Sequence, residues 1–459
     1  MSLASPMRTS SSVQSVAGRI ADRVFLARKR FPFATNVATL SGGASLGHCF
    51  TLAAAPILTR LYLPHEIGSL GLFNAFLGVA AVAACLQYDV AIVCADDERE
   101  AIHLTVMAVL FALPVGLGSG LLFSAMTRFS LLGFGTLPPY AAWLMAAGTF
   151  FAGLFSALRY WSIRNEQFGV VSQALLFQNG GRSVVQVVFG AIGAHSFGLL
   201  FGEALGRCIG MSRMLRTTWP VMRKHPPNAR SAADALIRHR RFPLYSMPSS
   251  LLNLLGTSLP LPLLVTLYGG DAGGYYSLVW RVLAVPVVLV GTSMADAFHS
   301  QAALYARNDP RRLLRFFHNS TVALIAIGII PAIAIFVFGQ PIFLFIFGGK
   351  WRISGAIASI VAPWFLTSFV VSPLSRLVYV LHGQRLKLIY DVAVLGGNLL
   401  VFDLAYRRSW PMLHMVAALS VMNTASRVVY YLVLLRIATS SYRTSTTPVP
   451  TDLTESSTS

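Results

Sequence analysis

Apolar residues run in blocks of about twenty along nearly the whole chain, broken by short polar stretches. A helix rises ~1.5 Å per residue, so a block of ~20 apolar residues matches the thickness of a bilayer core. The blocks predict twelve helices, at 34–59, 67–93, 101–125, 140–163, 168–192, 196–216, 244–268, 274–299, 314–338, 354–381, 386–405 and 411–436. Two flanking segments read differently. Val16, Ile20 and Val24 recur at four-residue spacing among arginines, which predicts a helix lying on the membrane surface. Residues 438–459 are rich in Ser, Thr and Pro and predict a disordered tail.

Composition sharpens this picture. The 459 residues are 55% hydrophobic and 12% charged, whereas a soluble domain is about a quarter charged. No one or two soluble cores could enclose that much apolar surface. The expected class is an all-α polytopic membrane protein of about 12 transmembrane helices. The net charge of +19 would suggest a nucleic-acid partner in a soluble protein, but here its distribution follows the loops. With the N-terminus inside, inner segments hold 25 Lys and Arg, outer segments 6, and five arginines fall within spans. That asymmetry predicts an even number of spans with both termini cytoplasmic, and no nucleic-acid partner. No apolar run precedes Arg19–Arg30, so the first span is expected to be retained as an anchor. Cys49, Cys85, Cys94 and Cys208 lack metal-type spacing and read as free thiols.

The chain also repeats itself. Arg30-Phe31-Pro32 precedes the first span and Arg241-Phe242-Pro243 opens the seventh. Leu61-Tyr62, Glu66 and Gly68 correspond to Leu267-Tyr268, Asp271 and Gly273 at an offset of 205–206 residues. The repeat predicts two pseudo-symmetric six-helix lobes in one orientation, related by an axis along the membrane normal. The expected organisation is a cytoplasmic segment 1–33, an N-lobe 34–216, a basic cytoplasmic linker 217–241, a C-lobe 242–437 and the tail 438–459.

Within residues 30–105 lie Asn36-Val-Ala-Thr-Leu, then Pro56-Ile-Leu-Thr-Arg60-Leu-Tyr-Leu-Pro64-His-Glu-Ile-Gly68, then Gln87-Tyr88-Asp89-Val-Ala-Ile-Val, closed by Asp96-Asp97-Glu98. This stretch resembles the Wzx-like oligosaccharide flippases of O-antigen, capsule and exopolysaccharide synthesis. Their superfamily also holds multidrug exporters and the lipid II flippase. The resemblance implies a protein of the bacterial inner membrane that moves an undecaprenyl-diphosphate-linked repeat unit from the cytoplasmic to the periplasmic leaflet. The partners it implies are that lipid-linked oligosaccharide, the membrane, and the polymerase and chain-length machinery of the same pathway.

Such a substrate requires a polar, cationic cavity, and arginine suits diphosphate through its forked donors and permanent charge. Five arginines are candidates: Arg182, Arg207, Arg281, Arg376 and Arg427. Arg182 sits ~21 Å from the inner end of its span and Arg207 ~18 Å from the outer end of its own. A central arginine facing lipid costs at least ~2.5 kcal/mol, so both are expected to face a cavity or a partner. For Arg207 the partner is on hand, because Glu203 lies four residues earlier; Arg182 has no acid at helical spacing. Arg281 follows Trp280 and reads equally as an interfacial residue, and Arg376 and Arg427 lie close enough to the inner surface to snorkel.

Arg60 is the candidate for an outer gate, or a headgroup contact. Asp89 and Asp296, near the inner ends of the second helix of each lobe, are candidates for an inner gate or for ion coupling, together with Glu203. Tyr160, Trp161, Tyr275, Tyr276, Trp280 and Trp364 are candidates to stack on sugar rings, but most lie near span ends and read better as an interfacial belt. No cofactor or metal is expected, and no P-loop or nucleophile elbow is present. Two competing functions remain: a drug or small-solute exporter of the same superfamily, and a membrane polymerase or ligase of polysaccharide synthesis.

Overall fold

In the computed structural model the described residues are 32–224, 228–287, 291–381 and 384–444. They are helical throughout, with no strand among them. The expected surface helix at 16–30 lies outside the described residues. Fifteen principal helices follow one another: α1 (Pro32–Leu61), α2 (Pro64–Ala83), α3 (Glu98–Arg128), α4 (Ala141–Arg164), α5 (Phe168–Ala191), α6 (His195–Gly206), α7 (Met211–Lys224), α8 (Ala229–Arg238), α9 (Met247–Ser258), α10 (Pro260–Pro286), α11 (Thr292–Asn308), α12 (Pro310–Phe347), α13 (Arg352–Leu374), α14 (Gln384–Arg407) and α15 (Met412–Thr444).

Local chemistry places their ends. Asp97 caps α3 by accepting the Glu100 amide at 2.6 Å, and Asp309 caps α12 by accepting the Arg311 and Arg312 amides at 3.0 and 3.1 Å. Proline occupies the first turn of α2, α10 and α12, where its missing N–H costs nothing. Within α10 the chain turns sharply at Gly269, whose φ of 83° is open to glycine. That turn marks the boundary expected between the spans at 244–268 and 274–299.

Among the described residues eight helices are long and apolar enough to cross a membrane, which makes this a multi-pass membrane protein; the count of twelve is not reached there on that criterion. The expected spans outside the eight are informative. α1, α5 and α6 are helical but carry His48, Thr51, Asn179, Arg182, Gln186 and Glu203 along their length. The span expected at 67–93 is broken after Ala83 by a turn with left-handed Leu86 and Gln87, and the one at 196–216 is broken between Gly206 and Met211. The basic linker is itself helical, as α7 and α8. α15 runs on to Thr444, so the tail expected to be disordered from 438 begins as helix.

The packing pattern repeats between the halves. α1 packs on α5, α3 on α4, α5 on α6 and α4 on α6; likewise α9 packs on α14, α12 on α13, α14 on α15 and α13 on α15. The repeated tyrosines play the same part in each half. Tyr62 donates its hydroxyl to the Gln186 carbonyl at 2.7 Å, and Tyr268 donates to the Trp410 carbonyl at 2.7 Å.

The two halves share one hydrophobic core at the end that carries residues 61–64, 268–270 and 348–351, where Leu72, Phe73 and Leu77 join Leu264, Phe343 and Trp364. At the opposite end each half has its own core. The molecule is thus closed at the first end and divided at the second. The closure is a backbone seam between α2 and α10. A Cβ on Gly274 would lie 1.8 Å from the Pro64 carbonyl oxygen, and one on Gly68 would lie 2.2 Å from that of Gly270. Beside the seam Trp351, 0% exposed, donates its indole N–H to the Thr59 carbonyl at 3.0 Å, satisfying an oxygen in the last turn of α1.

The seam yields a direct test. Gly274→Val should force the halves apart at this end. Spin labels at exposed positions 65 and 271 should then report a longer, broader distance distribution than in the otherwise unsubstituted protein. An unchanged distribution would mean that the glycine contact does not set the closure.

A cationic cavity between the halves

A cavity of about 560 Å³ lies between the halves and is lined from both. α1 contributes His48 and Thr51, α2 Asn74, α5 Arg182 and α6 Glu203; from the other half come Arg281 and Trp280 on α10, Trp364 on α13, Asn398 on α14, and Asn423 and Arg427 on α15. The charged lining consists of three arginines and one glutamate.

The arginines are not equivalent. Arg182 donates to Glu203 Oε1 at 2.8 Å and to Asn179 Oδ1 at 2.9 Å. Glu203 is only 3% exposed and also lies 3.8 Å from the Arg207 guanidinium. The acid that sequence spacing assigns to Arg207 is therefore held more closely by Arg182, from the neighbouring helix. Helical periodicity sees partners on the same helix only, and α5 and α6 pack antiparallel through a tight turn that brings residues 182 and 203 level. Arg281 and Arg427 are different. Among the described residues neither makes an ion pair or a hydrogen bond, and the buried Nε of each lacks an acceptor. The N-half wall is thus hydrogen bonded within itself, while the other wall carries two guanidinium groups with no hydrogen-bonded acid among the described residues; the nearest acids act on them only at longer range, Glu203 on Arg281 and Asp391 on Arg427.

The remaining candidate residues lie elsewhere. Arg207 touches Glu203 but does not line the cavity. Arg376 is exposed, in the break between α13 and the single turn Leu377–Val380. Arg60 is exposed and has no acid within salt-bridge distance among the described residues; the closure beside it is made by the glycine seam and Trp351. Asp89 is buried, and it accepts a hydrogen bond from Ser156 on α4. Asp296 falls in α11, and its side chain lies outside the described residues.

The aromatic belt needs correction. Tyr276, Trp280 and Trp364 face the cavity, with the two indole rings edge to face at 4.6 Å between centroids. Trp161 is buried in the N-half core with Tyr160 packed against it, and Tyr275 packs edge to face on Trp351. These rings lie close to span ends in sequence, which is also where the helices converge on the shared core. Asn398 and Asn423 are functional candidates that the sequence reading passed over. The available signal was the polar pair Asn423 and Arg427, four residues apart on an otherwise apolar helix.

With this geometry in view, the comparisons are specific. Residues 57–355 match the family described as "Polysaccharide biosynthesis protein", and the chain belongs to that family. No curated protein sequence matches the chain. Among solved structures it is similar to an inward-facing multidrug resistance MATE family transporter of the MOP superfamily, with TM-score 0.69 at 16% identity, covering 87% of this chain and 96% of that one. It is also similar to the lipid II flippase MurJ in an inward closed conformation, with TM-score 0.68 at 13% identity over 89% and 93% of the two chains. A MOP superfamily transporter from Pyrococcus furiosus, reported for the reverse polarity of its binding pocket, aligns with TM-score 0.57 at 13% identity over 89% and 96%. The chain therefore shares the fold of these transporters.

The compensated pair makes a stability prediction. Glu203→Ala leaves Arg182 without its carboxylate in a confined site and should destabilise the protein by about 3 kcal/mol. The double variant Arg182→Met/Glu203→Leu should recover most of that loss, as thermal unfolding in detergent would show. Equal losses for the single and double variants would mean that the pair is not coupled.

Proposed function

We propose that this member of the polysaccharide biosynthesis family is a flippase. Its substrate is a polyprenyl-diphosphate-linked oligosaccharide, which it moves across the bacterial inner membrane for O-antigen, capsule or exopolysaccharide assembly. The observation that carries this reading is the pair of guanidinium groups, Arg281 and Arg427, that line a cavity between two halves without a hydrogen-bonded partner among the described residues. Arginine forks match phosphate oxygens in geometry and charge, and in a confined low-dielectric site each charge-assisted bond is stronger than in water. Arg182 adds a third cation once its link to Glu203 loosens. Arg207 acts outside the cavity, on Glu203.

The transport step follows from the two ends of the molecule. The halves meet through backbone at one end and separate at the other, so rocking about the cavity would open it to alternate sides. The divided end carries the basic α7 and α8, which the positive-inside rule assigns to the cytoplasm, with both termini on that side. The headgroup would travel through the cavity while the polyprenyl chain stays in lipid. Release on the far side requires an affinity that differs between the two states. Glu203 is placed to act as a competing anion, and Asp89, Asp296 and Glu203 are the sites at which an ion gradient would be coupled; Arg60 would border the outer opening. The multidrug transporter fold suggests a drug exporter as the alternative, but a cationic drug would meet the guanidinium groups of Arg281 and Arg427.

Flipping of a fluorescent polyprenyl-diphosphate saccharide in sealed proteoliposomes tests this reading. Arg281→Ala and Arg427→Ala should each slow flipping at least about tenfold, with partial rescue by lysine, which keeps the charge but loses the fork. Full activity in the Arg281→Ala/Arg427→Ala double variant would remove the cavity from the path. The same vesicles with proton and sodium gradients imposed or dissipated separate coupled transport from facilitated diffusion.

A further inference from the structure

The cavity wall next to Arg427 is chemically unlike a simple anion site. Asn423 and Arg427 lie one turn apart on the same face of α15, so their side chains begin about 5–6 Å from each other. Both asparagines, Asn423 and its neighbour Asn398 on α14, are 3% exposed and line the cavity. Asn423 spends both amide hydrogens inside the protein, one on the Leu419 carbonyl at 2.9 Å and one on Asn398 Oδ1 at 2.9 Å. Those two bonds fix the orientation of both amides. They leave Asn423 Oδ1 as an acceptor and Asn398 Nδ2 as a donor, neither with a partner among the described residues. The same wall carries the Trp280–Trp364 corner, and Trp364, 7% exposed, has a buried indole N–H with no acceptor.

A donor and an acceptor side by side, backed by an aromatic corner, match neither lipid nor bare diphosphate. Phosphate oxygens offer acceptors only, so Asn423 Oδ1 would be left unsatisfied against them. A pyranose ring offers both: vicinal hydroxyls that donate and accept, and an apolar C–H face that packs on indole. We propose that Asn398, Asn423, Trp280 and Trp364 form a pyranose subsite that reads the sugar attached directly to the diphosphate. Its place one turn from Arg427 sets that order, since the anomeric sugar is the one within reach when the diphosphate lies on Arg427 and Arg281. The subsite rests on the flippase reading, and it adds that sugar selection resides in the second half of the molecule. The N-half wall supplies the compensated Arg182–Glu203 pair instead.

The probes are two short-chain analogues, farnesyl diphosphate and the same lipid carrying one hexose on its diphosphate, titrated calorimetrically into the purified full-length protein. The hexose-bearing analogue should bind about tenfold more tightly, the amount expected from two added hydrogen bonds and a stacked face. Asn398→Leu and Trp364→Leu should each erase that advantage while farnesyl diphosphate binds as before. Asn398→Asp, nearly isosteric, covers the case in which the leucine variant does not fold; it replaces the donor with an acceptor and should likewise remove the preference. Equal binding of the two analogues to the unsubstituted protein would overturn the subsite and leave the diphosphate reading standing. Binding of neither analogue, or binding unaffected by Arg281→Ala/Arg427→Ala, would overturn the flippase reading itself.

Discussion

A guanidinium group cannot be left facing hydrocarbon, and this chain carries three of them on the wall between its halves. That constraint organises the rest. Placing cations at depth requires a polar lining around them, and the helices that supply it, α1, α5 and α6, are those whose hydropathy falls short of a simple spanning segment. It also requires that the surrounding helices close around the cavity without displacing it. They do so through a shared core and a glycine seam at one end, where backbone meets backbone and no side chain intervenes.

Only one carboxylate lines the cavity with the three arginines, and its hydrogen bond goes to Arg182. The guanidinium groups with no hydrogen-bonded acid among the described residues therefore sit on one side, with Arg281 and Arg427. An asymmetric wall of this kind suits a cycle in which one half holds the anion and the other supplies a competing carboxylate. Glu203 resembles a tethered anion: buried, hydrogen bonded, and within 3.8 Å of a second arginine. The Arg182–Glu203 contact would have to be rearranged for a phosphate to take the place of the carboxylate. Affinity and release then become two states of one network and need no separate devices.

Much of the fold was legible in the sequence because hydrophobic blocks report burial in lipid directly. Helix limits such as 101–125 and 386–405 fall within the observed α3 and α14, 140–163 matches α4 to one residue at each end, and the Leu-Tyr repeat marks tyrosines that both donate to a backbone carbonyl. The breaks after Ala83 and Gly206 were not legible, since no proline marks them and Leu86 and Gln87 are ordinary residues held in a left-handed conformation by their context. The site was legible only in part. Charge within spans marked five arginines, of which Arg182, Arg281 and Arg427 line the cavity; depth alone favoured Arg182 and Arg207, and Arg207 does not line it. Pairing between helices is invisible to periodicity, so the Glu203–Arg207 pair was legible and the shorter Glu203–Arg182 contact was not. Asn398 and Asn423 escaped notice because an isolated asparagine in an apolar helix carries no signal until its partner on another helix is known.

The central claim is that the diphosphate of a lipid-linked sugar rests on the second half of the cavity. A cryo-electron microscopy reconstruction in lipid nanodiscs, with a polyprenyl-diphosphate saccharide bound, tests it most directly. The account predicts density for the diphosphate bridging Arg281 and Arg427, with the lipid chain leaving sideways between the halves and the Arg182–Glu203 contact altered. Headgroup density confined to the outer surface of the protein, over an empty cavity, would contradict it.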